Sequence, residues 1–185
     1  MLLLPALAAA GPAPAAAAEP AALLQKAQGL AQAGQTAEAM EAADQAVLAL
    51  WERAPLRLVR SVLVEKPTET FGGYHQRADN VYPAQKATIL AYLEPQCYRF
   101  ARRGELWTFG LSADVYLLNP AGEVLFGKER FISTSLTSRR RVRDFFLNVT
   151  LNLTGAPPGE YVVRLVVKDQ NGPGTAETRL PIVLK

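Results

Sequence analysis

Trp107-Thr-Phe-Gly-Leu-Ser-Ala-Asp-Val-Tyr-Leu117 decides the fold. Its odd positions, Trp107, Phe109, Leu111, Ala113, Val115 and Leu117, are all apolar, and Thr108, Gly110, Ser112 and Asp114 fall between them. A period of two is that of a strand with one buried face, so Trp107 is expected inside. Asn119-Pro-Ala-Gly122 then supplies turn chemistry, and Glu123 to Thr134 should return antiparallel. The alternation recurs in Phe145, Leu147, Val149, Leu151 and Leu153, until Gly155-Ala-Pro-Pro-Gly159 breaks it. Tyr161, Val163, Leu165 and Val167 face one way in the next strand. Asp169-Gln-Asn-Gly172 turns again, and Ala176 to Leu184 is the last strand.

Upstream, strands are expected at Leu58–Glu65, Ala87–Glu94 and Tyr98–Arg102, with Phe71-Gly-Gly-Tyr74 as a short edge segment. Roughly seven to nine strands with no helical period between them specify an antiparallel β-sandwich or barrel. Residues 56–185 are enough for two packed sheets.

The chain changes character near residue 50. The first 50 of its 185 residues hold 20 Ala and no Phe, Tyr or Trp; all 15 aromatics follow. Side-chain charge divides as −3 before the break and +6 after it, for a total of +3. Before the break the period is helical. Leu23, Ala27, Leu30 and Ala31 recur with one spacing. Gly34 suits a helix C′ position and Thr36 an N-cap. Ala39, Met40, Ala43, Ala46, Val47 and Leu50 then form a second run, ended by Pro55. The expectation is a helical hairpin over 19–54 joined to a β domain over 56–185.

Two family resemblances rest on these residues. Ala27, Leu30, Gly34, Ala39 and Ala46 match the small, large, turn, small and small positions of one tetratricopeptide unit. Ala43 departs from that pattern, and no second unit follows. One such repeat cannot bury its own face, so the hairpin needs the following domain or a partner against it. Pro158-Gly-Glu-Tyr-Val-Val-Arg-Leu-Val-Val-Lys-Asp169 resembles the penultimate strand of bacterial immunoglobulin-like domains, and Asn80-Val-Tyr-Pro-Ala-Gln85 the entry to an early strand. This resemblance implies an immunoglobulin-like sandwich and no particular ligand.

Residues 1–18, MLLLPALAAAGPAPAAAA, carry no charged side chain and end in an A-x-A pattern at Ala16 and Ala18. They resemble a secretory signal peptide cleaved after Ala18. The apolar run is too short to span a bilayer. The expected location is periplasmic or secreted, with no membrane span after cleavage. Cys97 is the sole cysteine, so no intrachain disulfide supports the fold. It lies among aromatic residues and reads as a small buried hydrophobe.

No motif announces a reaction. The single His, His75, sits in Phe71-Gly-Gly-Tyr-His-Gln-Arg77, and there is no ligand-spaced metal cluster or nucleophile elbow. No catalytic residue, metal or cofactor is therefore expected. Asp169-Gln-Asn-Gly172 is read as a β-turn, being too short for calcium. Asn148-Val-Thr150 and Asn152-Leu-Thr154 match the glycosylation pattern but are read as outer-face polar residues of a strand. The strongest charge feature is Arg139-Arg-Arg-Val-Arg143. Arginine suits carboxylate and phosphate recognition, while nucleic acid is a poor partner for an exported chain of this modest charge. Arg139, Arg140, Arg141 and Arg143, with Tyr74, His75 and Arg77 of the Gly72-Gly73 loop, are the candidate binding residues. The expected function is non-enzymatic binding or scaffolding of another exported protein. The alternative is a carbohydrate- or anion-binding sandwich with Trp107, Tyr74, Tyr82 and Tyr98 as stacking surfaces.

Overall fold

The computed structural model describes residues 19–185; the leader expected at 1–18 lies outside them. The chain divides into two compact units, one ending at Leu50 and the other running from Trp51 to Lys185.

The first unit is built from helices α1 (Pro20–Gln32) and α2 (Thr36–Arg53), whose last turn falls in the second unit. Glu19 caps α1 with an extended backbone and Pro20 occupies its first turn, where a missing N–H costs nothing. Gly34 takes φ +76 just past the helix. Its N–H reaches the Ala31 carbonyl, and the Gln35 N–H reaches that of Leu30. That is a Schellman cap, and it needs glycine because a Cβ disfavours left-handed backbone. Thr36, expected as the N-cap, is instead the first residue of α2. Up to Leu50 the buried residues of α2 are small, Ala39, Ala42 and Ala46, while Trp51 in its last turn is buried too. Met40, Val47 and Leu50, expected on the same apolar run, are exposed, as is Leu24 of α1.

The second unit holds nine strands: β1 (Arg57–Leu63), β2 (Val81–Tyr82), β3 (Lys86–Gln96), β4 (Ala101–Arg103), β5 (Leu106–Leu118), β6 (Val124–Ser138), β7 (Leu147–Thr154), β8 (Gly159–Asp169) and β9 (Thr175–Leu184). One sheet has the order β1-β3-β7 and the other β2-β9-β8-β5, with β6 and β4 also on β5. All pairings are antiparallel except β2 with β9. First, second and fifth strands in one sheet against third, sixth and seventh in the other is the immunoglobulin-like arrangement; here β1, β3 and β7 face β5, β8 and β9. Tyr161 at the start of β8 donates its hydroxyl to the Pro157 carbonyl at 2.8 Å, the tyrosine corner of that fold.

The inward residues of both sheets form one core. Ala87, Ile89, Ala91 and Leu93 of β3 join Leu147, Val149 and Leu151 of β7 from one side. Phe109, Leu111, Ala113, Val115 and Leu117 of β5 join Val163, Leu165, Val167 and Ile182 from the other. Aromatic residues close one end: Tyr98 lies 4.3 Å from Phe109 and 5.1 Å from Trp51, whose indole N–H donates to the Tyr98 carbonyl. Burial pushes the Tyr98 hydroxyl well above its ordinary range.

Four expectations are adjusted. Phe71–Tyr74 is a turn, not an edge strand, with Gly72 at φ +73 and a single bridge from Val64 to Gln76. The strand expected at Tyr98–Arg102 is only Ala101–Arg103, because Cys97 takes φ +64 and turns the chain. Cys97 is buried, and burial pushes its thiol up. Phe145 precedes its strand, which begins at Leu147. β6 runs on to Ser138 and is interrupted twice: Leu125 is skipped between the Leu117–Phe126 and Leu118–Val124 pairs, and residues 129–131 stand opposite Asp114 alone.

Candidate functional site

The β4–β5 hairpin turns on Gly104-Glu105, so Arg102 pairs with Trp107 and Arg103 with Leu106. On the other side of β5, Trp107 pairs with Ser138, the last residue of β6. Arg102, Trp107 and Ser138 thus form one row across the sheet, and Arg139 and Arg140 follow directly. The Arg141 guanidinium lies 4.0 Å from the Trp107 ring centroid and that of Arg102 lies 5.7 Å away. Trp107, expected inside, is half-buried at the end of the sandwich under these two cations. Cation–π contacts of this kind contribute about 1 kcal/mol each.

The arginines of this region differ in freedom. Arg141 is committed: it also pairs with Glu52 at 3.2 Å. Arg143 is half-buried and partnered. Arg139 meets Glu105 at 3.7 Å, but both side chains are more than four-fifths exposed, so that pair adds little. Arg140 is exposed, its own N–H held by the Ser138 hydroxyl. Arg103 is exposed as well. Arg102, Arg103, Arg139, Arg140 and Arg141 therefore gather at one end of one sheet, against Glu52 and Glu105. Arg102 and Arg103 were not among the expected site residues. The turn signal at Gly104 would have placed them, since a two-residue hairpin fixes which residues face each other.

The other expected residues lie elsewhere: Tyr74 and His75 beside the outer face of the three-stranded sheet, and Arg77 beside the end of β1, its N–H on the Leu63 carbonyl. Tyr74 stacks on Tyr92 at 4.5 Å, and Phe146 lies 5.4 Å beyond on the same ring. The Tyr92 hydroxyl accepts the Gly72 N–H and donates to Glu94. Burial, followed by the Glu94 carboxylate, pushes it up to about 12. His75 is exposed and borders an open cleft of about 390 Å³ with Lys66, Thr68, Glu69, Thr70 and Gly73. Asn148, from the first glycosylation-like triplet, clasps this loop: its amide donates to the Thr68 carbonyl and accepts the Thr68 N–H. Arg77 is held by Asp79 at 2.8 Å and lies 4.5 Å from the Tyr82 ring centroid. Its hydrogen bond holds the Asp79 carboxyl below its ordinary value. The structure does not bring Tyr74, His75 and Arg77 together with the Arg139–Arg143 segment.

Tyr82 and Tyr98 are buried, Tyr74 is stacked and Trp107 is capped, so the four aromatics form no exposed row. Asp169 spends its carboxylate on the N–H groups of Arg99 and Asn171, as a turn does. Among the described residues no group of three metal-ligating side chains converges, and no helix is long and apolar enough to cross a membrane.

No protein-family model and no curated protein sequence matches the chain. Three solved structures are similar to part of the chain at low identity. A glycosyl hydrolase family 2 member from Bacteroides cellulosilyticus is 10% identical, with TM-score 0.41, over 70% of this chain and 14% of that one. Spo0M, a sporulation control protein from Bacillus subtilis, is 11% identical, with TM-score 0.35, over 71% and 50%. The alkylpurine DNA glycosylase AlkC from Pseudomonas fluorescens, bound to DNA containing an abasic site analog, is 12% identical, with TM-score 0.31, over 90% and 44%. The chain thus spans between 14% and 50% of the length of these proteins.

Proposed function

We propose that this is an exported, non-enzymatic binding or scaffolding protein of the periplasm, acting through protein–protein contacts. Its leader resembles a signal peptide, and its helices resemble one tetratricopeptide unit, a fold element that needs a neighbour. One observation carries the proposal: exposed Arg103, Arg139 and Arg140 stand with Arg102 and Arg141 at one end of one sheet. Such a patch suits carboxylate groups, because guanidinium matches them in charge and in planar, forked geometry. An acidic partner surface supplies several at once. The same chemistry would serve a small anion, whereas the covered state of the four aromatics disfavours sugar stacking.

The test is chemical cross-linking in a periplasmic fraction, followed by purification of the tagged chain. An enriched protein partner is expected, and Arg139→Glu with Arg140→Glu should reduce its recovery at least tenfold. A strictly monomeric chain with no enriched partner would contradict the proposal.

A further inference from the structure

Beside the arginine patch runs an open strand edge. Among the described residues β6 pairs with β5 alone. The direction of its free groups follows from hydrogen bonds on the opposite side of β5. The Gly110 carbonyl accepts the Gln170 N–H, and the Thr108 carbonyl accepts from Asn171. Both carbonyls point toward the β8 side, away from β6. In antiparallel pairing, residues opposite such positions also point away from each other. Gly110 stands opposite Ser135, Thr108 opposite Thr137 and Ser112 opposite Ser133. The N–H and C=O groups of Ser133, Ser135 and Thr137 therefore face outward, two residues apart.

The two halves of this edge differ. Val124–Phe131 contains both bulges and the charges Lys128, Glu129 and Arg130. Bulges and charges are what protein edges carry against unwanted pairing. Ile132-Ser-Thr-Ser-Leu-Thr-Ser138 has an unbroken register, no charge and no proline. Its exposed residues are Ser133, Ser135 and Thr137, and it spans about 20 Å of edge. Arg139 and Arg140 mark one end and Lys128 and Arg130 the other.

We propose that an extended peptide segment of the partner adds to this edge as a further strand, and that its flanking acidic residues meet Arg139 and Arg140 at one end and Lys128 and Arg130 at the other. This inference rests on the proposed protein-binding role and names the chemistry of its partner. Backbone hydrogen bonds to Ser133, Ser135 and Thr137 supply register. The arginines and Lys128 select for acidic flanks and speed encounter.

The experiment titrates a capped probe peptide, seven alternating Thr and Val residues between Glu pairs, into the full chain by calorimetry. A second probe has its alternate amides N-methylated, and a third has Gln in place of Glu. The first should bind, and each of the others should bind at least about tenfold more weakly. Ser135→Pro should weaken the first probe similarly, since it removes an outward N–H without breaking the β5–β6 ladder. The N-methylated probe makes the same test should that variant fail to fold. Equal binding of the methylated probe, or displacement of the peptide by polyphosphate with Ser135→Pro unaffected, would overturn strand addition in favour of a simple anion patch. No binding of any probe, while cross-linking still yields a protein partner, would overturn strand addition and leave the protein-binding role standing. Failure of both experiments would remove both.

Discussion

Asp114 shows how far a single residue can depart from its pattern. Its place between apolar residues in 107–117 predicts a solvated outer face, yet it is 1% exposed. It is buried because it has three donors: the Lys168 ammonium at 2.5 Å, the Arg130 N–H at 2.8 Å and the Tyr116 hydroxyl at 3.4 Å. Burial alone would raise its carboxyl; the hydrogen bonds from Lys168 and Arg130 outweigh that and hold it below the ordinary value. A carboxylate with a lowered folded-state pKa stabilises the fold above its unfolded value near 3.9. That contribution disappears as pH falls through the lowered value. Asp114→Asn should therefore cost about 2 kcal/mol near neutrality. It should also flatten the loss of stability below about pH 4. Urea denaturation at neutral and acidic pH checks both; a variant with the parent's full acid sensitivity would contradict this role. Nothing in the local sequence announces Asp114, since its chief donors come from positions 130 and 168.

At the scale of elements, alternation located β5, β7, β8 and β9 because each keeps a regular register with one face in the core. β6 was read only in outline. Residues 129–131, with Arg130 at φ +48, stand opposite Asp114 and add two residues, so Phe126 and Lys128 before the bulge and Ile132, Thr134 and Leu136 after it all pair with inward residues of β5. That set mixes the polar Lys128 and Thr134 with apolar residues, so its period of two does not show as a hydrophobic alternation. The arginine run was legible as charge. The commitment of Arg141 to Trp107 and Glu52 was not, because that geometry depends on where the chain goes after Ser138. Gly127 tests the outer packing of this hairpin. A Cβ there would lie 2.8 Å from Cδ1 of Tyr116, whose ring also sits 5.3 Å from the Arg164 guanidinium. Gly127→Ala should destabilise by about 1–2 kcal/mol, as small-to-large changes in packed sites do. An unchanged denaturation midpoint would show that the Tyr116 ring moves aside freely.

For the whole molecule, the sequence break near residue 50 corresponds to two compact units, one helical and one immunoglobulin-like. The Ala-rich part lacks the large side chains that a sheet core needs, and its buried helical residues are Pro20 and three alanines. The aromatic-rich part fills the sandwich and leaves a cationic end beside an uncharged free edge. The central claim is that the protein binds through that edge. Amide hydrogen exchange on the full chain, with and without the Glu-flanked peptide, tests it most directly. In the free protein Ser133, Ser135 and Thr137 should exchange fast while Thr134 and Leu136, inside the β5–β6 ladder, are protected. On binding, the three fast amides should slow together. Saturating peptide that leaves them fast, or that protects amides elsewhere, would contradict the claim.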